Sequence, residues 1–354
     1  MTSVLVIGDR FIPASSYVDA FAERLSDIEG DVDVRTVDWQ AEKAEQHTLQ
    51  QLMEVEGANA VPPPPEVLAA IQDADVVCMH FAPIGRAMLE AAPALRLVAV
   101  ARAGLENVDV PTATGRGVGV VPVQGRNAGA VAELAIGLML AEARNIARAD
   151  ASVKSGGWRK DFPGSRVEIA GRTIGMIGFG HVGRTLVRRL RGFECRPLVF
   201  DPYADAEDLA RHGVRRADTL DEVFAEGDFI VVQARHTPET DRFITAKHFA
   251  LMKPSAYFIN VARSRLVDYN ALYAALAAER IAGAGLDVFD EEPLTEDSPW
   301  RRLDNVTITT HFGGDTEDTN STSAGLVADA VAGFLRTGKA PGAINATELG
   351  WGAP

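Results

Sequence analysis

Ten short, almost uninterrupted apolar runs, separated by segments of helical character, constrain the fold of this 354-residue chain more than any other feature. In most of these runs polar residues do not alternate with apolar ones, which is typical of strands that are buried on both faces of a parallel sheet. Helices packed above and below such sheets produce a doubly wound α/β fold. The predicted strands are Val4–Ile7, Val32–Val37, Val76–Met79, Leu95–Ala101, Ile174–Ile177, Pro197–Phe200, Phe229–Val232, Ala256–Val261, Ala284–Val288 and Val306–Ile308.

The length of the chain predicts two domains, at roughly 150 residues for each domain. Asn127 is a suitable N-cap residue, and residues 128–151 after it have the pattern of one long helix that could join two halves. We therefore expect a hinge just before this helix. The polar segment from Trp39 to the four prolines at 62–65 is predicted to be a surface insertion.

Composition and charge exclude several classes of protein. Charged residues make up 24% and hydrophobic residues 47% of the chain, as in ordinary globular proteins. The net charge of −14 disfavours a nucleic-acid partner. The most apolar helical stretch contains Glu133 and Glu142, so no membrane span is expected. The chain has only two cysteines, which are far apart, and it begins directly with a strand-like run, so we expect a cytoplasmic protein. The seven histidines show no metal-binding spacing, so no metal site is expected.

A glycine motif at the end of the fifth apolar run indicates a dinucleotide site. Gly178 would form the tight turn, Gly180 would let pyrophosphate approach the backbone, and Gly183 would allow close helix-strand packing. The amides of His181 and Val182, at the start of the following helix, are the expected phosphate donors. A strand-helix turn without any ligand is the alternative for such a motif by itself.

An acidic residue at the end of the next strand strengthens this interpretation. Asp201 stands 18 residues after Gly183, where it could accept hydrogen bonds from both hydroxyls of an adenosine ribose. A carboxylate there would repel a 2′-phosphate, and no arginine follows it directly, so the sequence predicts NAD as the cofactor instead of NADP.

Three later segments each end a strand with a polar residue, at the edge where α/β sheets usually hold their active sites. Arg263 supplies a cation, Glu292 a carboxylate and His311 an imidazole. Hydride transfer to a carbon that carries oxygen needs a group that moves the hydroxyl proton and a cation that holds an adjacent carboxylate. Taken singly, these residues could equally be a surface ion pair, a solvated loop acid and a loop histidine.

The segments around these residues resemble the D-isomer-specific 2-hydroxyacid dehydrogenases, a family that includes D-3-phosphoglycerate dehydrogenase and glyoxylate/hydroxypyruvate reductase. The similar segments occur in the family's order and extend over residues of about 70 to 315. They are 107–109, 127–133, 178–183, Asp201, 237–240, 258–268, 285–294 and 305–314.

The resemblance implies a hydride transfer between NAD and C2 of a small D-2-hydroxy or 2-keto acid. It implies that Arg263 binds the substrate carboxylate and polarises the C2 carbonyl group, and that His311 is the acid/base. Glu292 would pair with His311 and raise its pKa. Further expected cofactor contacts are Val261, Ala262, Asp287, Gly313 and Gly314, and further expected substrate contacts are Ala103, Gly104, His80 and Arg102.

The resemblance also implies a domain organisation and an assembly. Residues 1–118 and 312–354 would form a flavodoxin-like substrate domain, and residues 119–311 an inserted Rossmann NAD-binding domain, with the cleft between them. The family usually forms homodimers through the long helix and the NAD domain, so a homodimer is expected.

Some positions depart from the family pattern, although none of them removes a proposed catalytic group. Ser264 and Arg265 replace a glycine pair, Thr310 replaces a proline, and Gln233 replaces a histidine.

A function of a different class also stays open, because some members of this superfamily are NAD(H)-sensing corepressors with little or no turnover.

Overall fold

The computed structural model describes residues 1–352 except 27, 29–31, 40–41, 163 and 165, and the side chains of 43, 44 and 47 also lie outside the description. The chain forms two compact units, which are described separately. The first contains residues 1–126 and 317–354, and the second contains residues 127–316. The predicted boundaries lie after residues 118 and 311, and the assignment of substrate binding to the first unit stays a prediction.

The first unit contains a five-stranded parallel sheet in the order β2-β1-β3-β4-β5. Its central strands are completely buried, because helices cover both faces and leave no position for a polar side chain. The strands are β1 (Thr2–Gly8), β2 (Val32–Asp38), β3 (Val76–Met79), β4 (Leu97–Val100) and β5 (Gly119–Pro122). The helices are α1 (Ala14–Arg24), α2 (Lys43–Glu56), α3 (Pro65–Ala70), α4 (Arg86–Ala91), α5 (Val110–Gly115) and a C-terminal helix (Glu317–Thr337).

The prediction of a surface insertion from Trp39 to the prolines at 62–65 is wrong. Helix α2 lies in this segment, and Trp39, Met53 and Val61 are buried in the core of the first unit. The proline run does interrupt regular structure, but its last residue begins α3, where a missing N–H costs nothing. Residues 40 and 41 of the segment lie outside the described part of the chain.

The second unit contains a seven-stranded parallel sheet in the order β12-β11-β10-β9-β6-β7-β8. The strands are β6 (Thr173–Ile177), β7 (Arg196–Phe200), β8 (Arg215–Arg216), β9 (Phe229–Val232), β10 (Tyr257–Asn260), β11 (Gly283–Leu286) and β12 (Val306–Ile308). The helices are α6 (Ala128–Arg144), α7 (Ile146–Lys154), α8 (His181–Leu190), α9 (Ala206–His212), α10 (Leu220–Glu226), α11 (Ala246–Leu251) and α12 (Tyr269–Ala277).

All ten predicted strands are present, and the predicted doubly wound α/β architecture is confirmed. Two strands were not predicted. Strand β5 begins with glycine and ends with proline, and β8 consists of two exposed arginines, so neither has the apolar run on which the prediction depended.

The predicted helix over residues 128–151 is in fact two helices, α6 and α7. They meet at Asn145, whose φ of 54° lies in the left-handed region that asparagine tolerates better than most residues. The buried guanidinium of Arg148 lies 2.9 Å from Oε2 of Glu142 and donates to Oδ1 of Asn145 at 3.2 Å. These contacts stabilise the break between α6 and α7 at Asn145. Asn127 was predicted as an N-cap, but its side chain makes no capping hydrogen bond.

Candidate active site

The glycine turn joins β6 to α8 and has the shape that the motif predicts. Gly178 has φ of 100°, and a Cβ atom there would lie 2.9 Å from backbone atoms of Ala234. A Cβ atom at Gly183 would lie 2.9 Å from the carbonyl oxygen of Gly178. Gly180 faces open space as far as the described residues extend. The turn therefore requires glycine at 178 and 183, while the space at 180 fits the expected approach of a phosphate group.

Asp201 follows β7 and is hydrogen-bonded to the same turn. Its Oδ2 accepts a hydrogen bond from the backbone N–H of Phe179 at 2.6 Å, and its Oδ1 accepts one from Tyr203 at 2.8 Å. A carboxylate has about four acceptor positions, so each oxygen of Asp201 retains capacity for a ribose hydroxyl. The ribose contact itself stays a prediction, as do the phosphate contacts of His181 and Val182 at the start of α8.

His311 and Glu292 form a hydrogen-bonded pair at the ends of adjacent strands β12 and β11. Nδ1 of His311 lies 2.7 Å from Oε2 of Glu292, and Oε1 of Glu292 accepts from the backbone N–H of Phe289 at 2.7 Å. Burial raises the pKa of Glu292, but the hydrogen bonds from His311 and Phe289 and the charges of His311 and Arg263 together outweigh burial and hold that pKa below its ordinary value. Glu292 is therefore a carboxylate at neutral pH, and Nδ1 of His311 is the donor.

The backbone at His311 is strained, and Asp287 holds it in place. His311 has φ of 55°, which is uncommon for a residue other than glycine. Buried Asp287 accepts hydrogen bonds from Oγ1 of Thr309 at 2.6 Å and from the N–H groups of Phe312 at 3.2 Å and Gly313 at 3.0 Å. Strain of this kind is concentrated at functional sites, where the surroundings impose it. The predicted contact of Asp287 with the cofactor stays a prediction.

Close packing explains the two glycines that follow. A Cβ atom at Gly313 would lie 2.9 Å from Oδ2 of Asp287, and one at Gly314 would lie 2.6 Å from Nδ2 of Asn127. A Cβ atom at Gly313 would therefore displace the Asp287 carboxylate that holds the turn, and one at Gly314 would displace the Asn127 side chain.

Arg263 lies just after β10, which pairs with β11. Its guanidinium is exposed and contributes to the lowered pKa of Glu292, so the cation and the carboxylate share one electrostatic site. The side chain of Asn260, which is completely buried, accepts from the N–H of Ala262 at 3.0 Å and donates to the carbonyl oxygen of Arg263 at 3.2 Å. Sequence reasoning missed Asn260, although an amide at the end of an apolar strand is a visible signal.

The structure thus places Arg263, Glu292 and His311 after three neighbouring strands of the second unit. Val261 is buried and Ala262 is half-buried beside Arg263. This arrangement can hold an anion at the guanidinium and exchange a proton at Nε2 of His311, whose side chain is 34% exposed. The individual roles of these residues stay predictions.

The expected substrate contacts in the first unit lie at the carboxyl ends of its strands. His80 is 1% exposed, with Nδ1 3.2 Å from Oδ2 of Asp9 and Nε2 3.1 Å from Nη2 of Arg126. Burial lowers the pKa of His80 to about 4, although Asp9 opposes this shift. His80 is therefore a neutral, buried side chain with charged neighbours at both ring nitrogens.

Arg102 is also mostly buried. Its Nη2 lies 3.5 Å from Oε1 of Glu54 and 3.3 Å from Oε2 of Glu106, and its guanidinium stacks over the ring of Phe81 at 5.0 Å. The next two residues, Ala103 and Gly104, are exposed and half-exposed respectively. Contacts of His80, Arg102, Ala103 and Gly104 with a substrate stay predictions.

The described residues contain neither a metal-binding cluster nor a membrane-spanning helix. Within the described ranges, no group of three or more His, Cys, Asp or Glu side chains is arranged to hold a metal ion. In the same part of the chain, no helix combines the length and the apolar character that crossing a membrane requires.

Comparison with known proteins gives a consistent result. Residues 136–313 match the sequence model of the D-isomer specific 2-hydroxyacid dehydrogenase NAD-binding domain. The chain is similar to D-3-phosphoglycerate dehydrogenase from Methanocaldococcus jannaschii, with 39% identity over 299 residues that cover 84% of this chain and 56% of that protein. It is also similar to glyoxylate reductase from Pyrococcus furiosus, with 36% identity over 292 residues that cover 80% of this chain and 86% of that protein.

A solved structure with the same fold is the NADPH-dependent glyoxylate/hydroxypyruvate reductase from Sinorhizobium meliloti in complex with NADP and malonate. The TM-score is 0.69 with 27% identity, and the match covers 96% of this chain and 95% of that chain. The chain spans about half the length of the D-3-phosphoglycerate dehydrogenases that it matches.

Proposed function

Because this chain belongs to the D-isomer specific 2-hydroxyacid dehydrogenase family, we propose that it transfers a hydride between NAD and C2 of a small D-2-hydroxy or 2-keto acid. The observation that carries this proposal is the 2.7 Å contact between Nδ1 of His311 and Oε2 of Glu292, with the Arg263 cation beside it. A proton carrier and an anion clamp are the two groups that such a reaction needs from a protein.

His311 is the proton carrier in this proposal. When bound, the reduced cofactor supplies the hydride that forms the new C–H bond at C2. Nε2 of His311 gives its proton to the carbonyl oxygen, which becomes the hydroxyl group, and takes the proton back in the reverse direction. Glu292 orients the ring through Nδ1, and its negative charge stabilises the imidazolium that donates the proton.

Arg263 is the anion clamp. A guanidinium binds a carboxylate through two parallel hydrogen bonds, which fixes the position of the neighbouring C2 carbonyl group and polarises it. Its hydrogen bond to Asn260 supports this role, because that bond fixes the backbone from which the guanidinium extends.

The glycine turn and Asp201 fit a dinucleotide. The space at Gly180 and the N–H groups at the start of α8 suit a pyrophosphate, and the Asp201 carboxylate suits a ribose with two free hydroxyls. We propose NAD as the preferred cofactor, although the related S. meliloti reductase is described as NADPH-dependent. A preference for NADPH over NADH in steady-state assays would overturn this choice.

The proposed assembly is a homodimer formed through the second unit. Helix α7 and the residues after it expose large apolar side chains, among them Ile146, Val153 and Trp158, of which Trp158 is 76% exposed. A second copy of the chain would bury such a surface. Sedimentation equilibrium should give a dimer mass, and a monomer mass at micromolar concentration would contradict the proposal.

The decisive experiment measures NADH oxidation with glyoxylate, hydroxypyruvate, phosphohydroxypyruvate and longer sugar-derived keto acids. His311→Ala should lower kcat by about 10²–10⁴-fold, and Arg263→Ala should mainly raise KM for the keto acid. Arg280→Ala is the matched control, because this arginine is exposed and lies before β11, at the opposite end of the strand from Asp287.

Two outcomes would contradict the proposed function. Undiminished turnover in both His311→Ala and Arg263→Ala would show that the assigned roles are wrong. Tight NADH binding without turnover of any acid would instead indicate a dinucleotide-sensing protein.

A further inference from the structure

Two buried polar side chains, Asn260 and Tyr269, lie between the loop that carries Arg263 and the loop that carries Glu292. Nδ2 of Asn260 donates to the hydroxyl oxygen of Tyr269 at 3.2 Å. The Tyr269 hydroxyl in turn donates to the carbonyl oxygen of Val288 at 2.5 Å. Because both side chains are buried, water does not compete for these hydrogen bonds.

The hydrogen bonds continue on both sides to the residues of the proposed reaction. On one side, Asn260 holds the carbonyl oxygen of Arg263 at 3.2 Å. On the other side, Val288 is followed by Phe289, whose N–H donates to Oε1 of Glu292 at 2.7 Å. A hydrogen-bonded path therefore connects the backbone of Arg263 to the carboxylate that orients His311, and the Tyr269 hydroxyl is its central link.

The ring of Tyr269 is held independently of its hydroxyl group. It packs edge-on against Phe289, with centroids 6.0 Å apart, and against Trp300 at 5.4 Å. Tyr269 is also the first residue of α12, whose N-terminus is capped by the side chain of Asp268. Burial raises the pKa of Tyr269, so the hydroxyl group stays protonated and able to donate. Removal of the hydroxyl alone should leave the ring in place.

We propose that Tyr269 is a positioning residue, whose hydroxyl sets the placement of Arg263 relative to the Glu292 and His311 pair. The inference rests on the proposed function, in which one substrate must contact Arg263 through its carboxylate and His311 through its C2 oxygen. These two contacts are productive only if both loops keep their spacing, since a displacement of about 1 Å can cost on the order of 10²-fold in rate.

The test compares Tyr269→Phe with the matched control Tyr273→Phe. Tyr273 lies one helical turn further along α12 and packs on the same Trp300, with centroids 5.4 Å apart. Tyr269→Phe leaves the buried carbonyl of Val288 without its donor and should lower kcat for keto-acid reduction by about 10-fold or more. KM for NADH should stay within about twofold, because this change leaves the glycine turn intact, and Tyr273→Phe should leave both parameters unchanged.

Rescue and the folded fraction separate positioning from simple loss of stability. A loss of folded protein would lower the folded signal in circular dichroism together with the rate, whereas a positioning defect lowers kcat per folded molecule and leaves that signal unchanged. Tyr269→p-aminophenylalanine restores a donor at the same position and should recover kcat to within about threefold of the unmodified protein.

Each outcome decides between the proposals. Equal kcat in Tyr269→Phe and in the unmodified chain would overturn the positioning role while leaving the proposed function intact. A rate loss that matches the loss of folded protein, with no rescue by p-aminophenylalanine, would also overturn it. Absence of turnover in the unmodified chain would overturn the proposed function and this inference together.

Discussion

Replacement of Asp287 by asparagine tests how the strained turn at His311 is maintained. The carboxylate accepts hydrogen bonds on both oxygens, from Thr309 and Phe312 on Oδ1 and from Gly313 on Oδ2. An asparagine side chain has one acceptor oxygen and one NH₂ donor. Whichever way the amide is turned, its NH₂ group faces a donor of the turn, so at least one native hydrogen bond is lost.

The loss of local stability in Asp287→Asn follows from these hydrogen bonds. A hydrogen bond to a charged acceptor contributes about 1.5–3 kcal/mol, and leaving its buried donor unsatisfied costs a further 1–3 kcal/mol or so. The left-handed backbone of His311 itself costs roughly 1–2 kcal/mol. In the native turn the three bonds to Asp287 outweigh this strain. We expect Asp287→Asn to reduce the local stability of the turn by about 3 kcal/mol, which is about a 100-fold change in the opening equilibrium.

Hydrogen exchange measured by mass spectrometry reports this change directly. Peptides that contain Phe312 and Gly313 should exchange about 100-fold faster in Asp287→Asn, and kcat should fall with it because His311 is no longer held. Asp290→Asn, an exposed position on the same loop, is the control. If the two variants exchange at the same rate and retain the same kcat, Asp287 does not hold the turn.

Three further substitutions have defined expectations. Arg148→Ala should lower the free energy of unfolding in urea by about 3–5 kcal/mol, because it leaves the buried Glu142 carboxylate unpaired. Burial raises the pKa of Glu142, so this loss should shrink as the pH is lowered and the carboxylate is neutralised. Asp228→Asn should cost about 1 kcal/mol at neutral pH. Burial raises the pKa of Asp228, but the hydrogen bonds and charge of partners such as Lys253 outweigh burial and lower that pKa below 3.8. The stability difference between the unmodified chain and Asp228→Asn should therefore disappear in thermal melts as the pH falls through this lowered pKa. Gly178→Ala should weaken NADH binding by about tenfold in fluorescence titrations, because the left-handed backbone and the 2.9 Å contact oppose a Cβ atom.

Much of the fold could be predicted because its signals are local. A strand buried on both faces needs an apolar run, and a dinucleotide turn needs glycine at defined positions, so both features are visible in a few consecutive residues. The parts that were missed lack such a signal. Strand β5 is delimited by glycine and proline, and α2 has a polar composition although Met53 is buried in the core of the first unit.

The candidate site divides in the same way. The sequence by itself predicted Arg263, Glu292 and His311 as site residues, because each lies in a segment that follows an apolar strand and the carboxyl edge of a parallel sheet collects such positions. The family resemblance implied that Glu292 pairs with His311, and the structure adds that Nδ1 is the atom of His311 that makes the contact. The tertiary structure alone decided that the backbone at His311 is left-handed and that Asp287 holds this turn. These features depend on hydrogen bonds between residues about 20 or more positions apart, whose donors and acceptors meet only when neighbouring strands pair, so no local pattern encodes them.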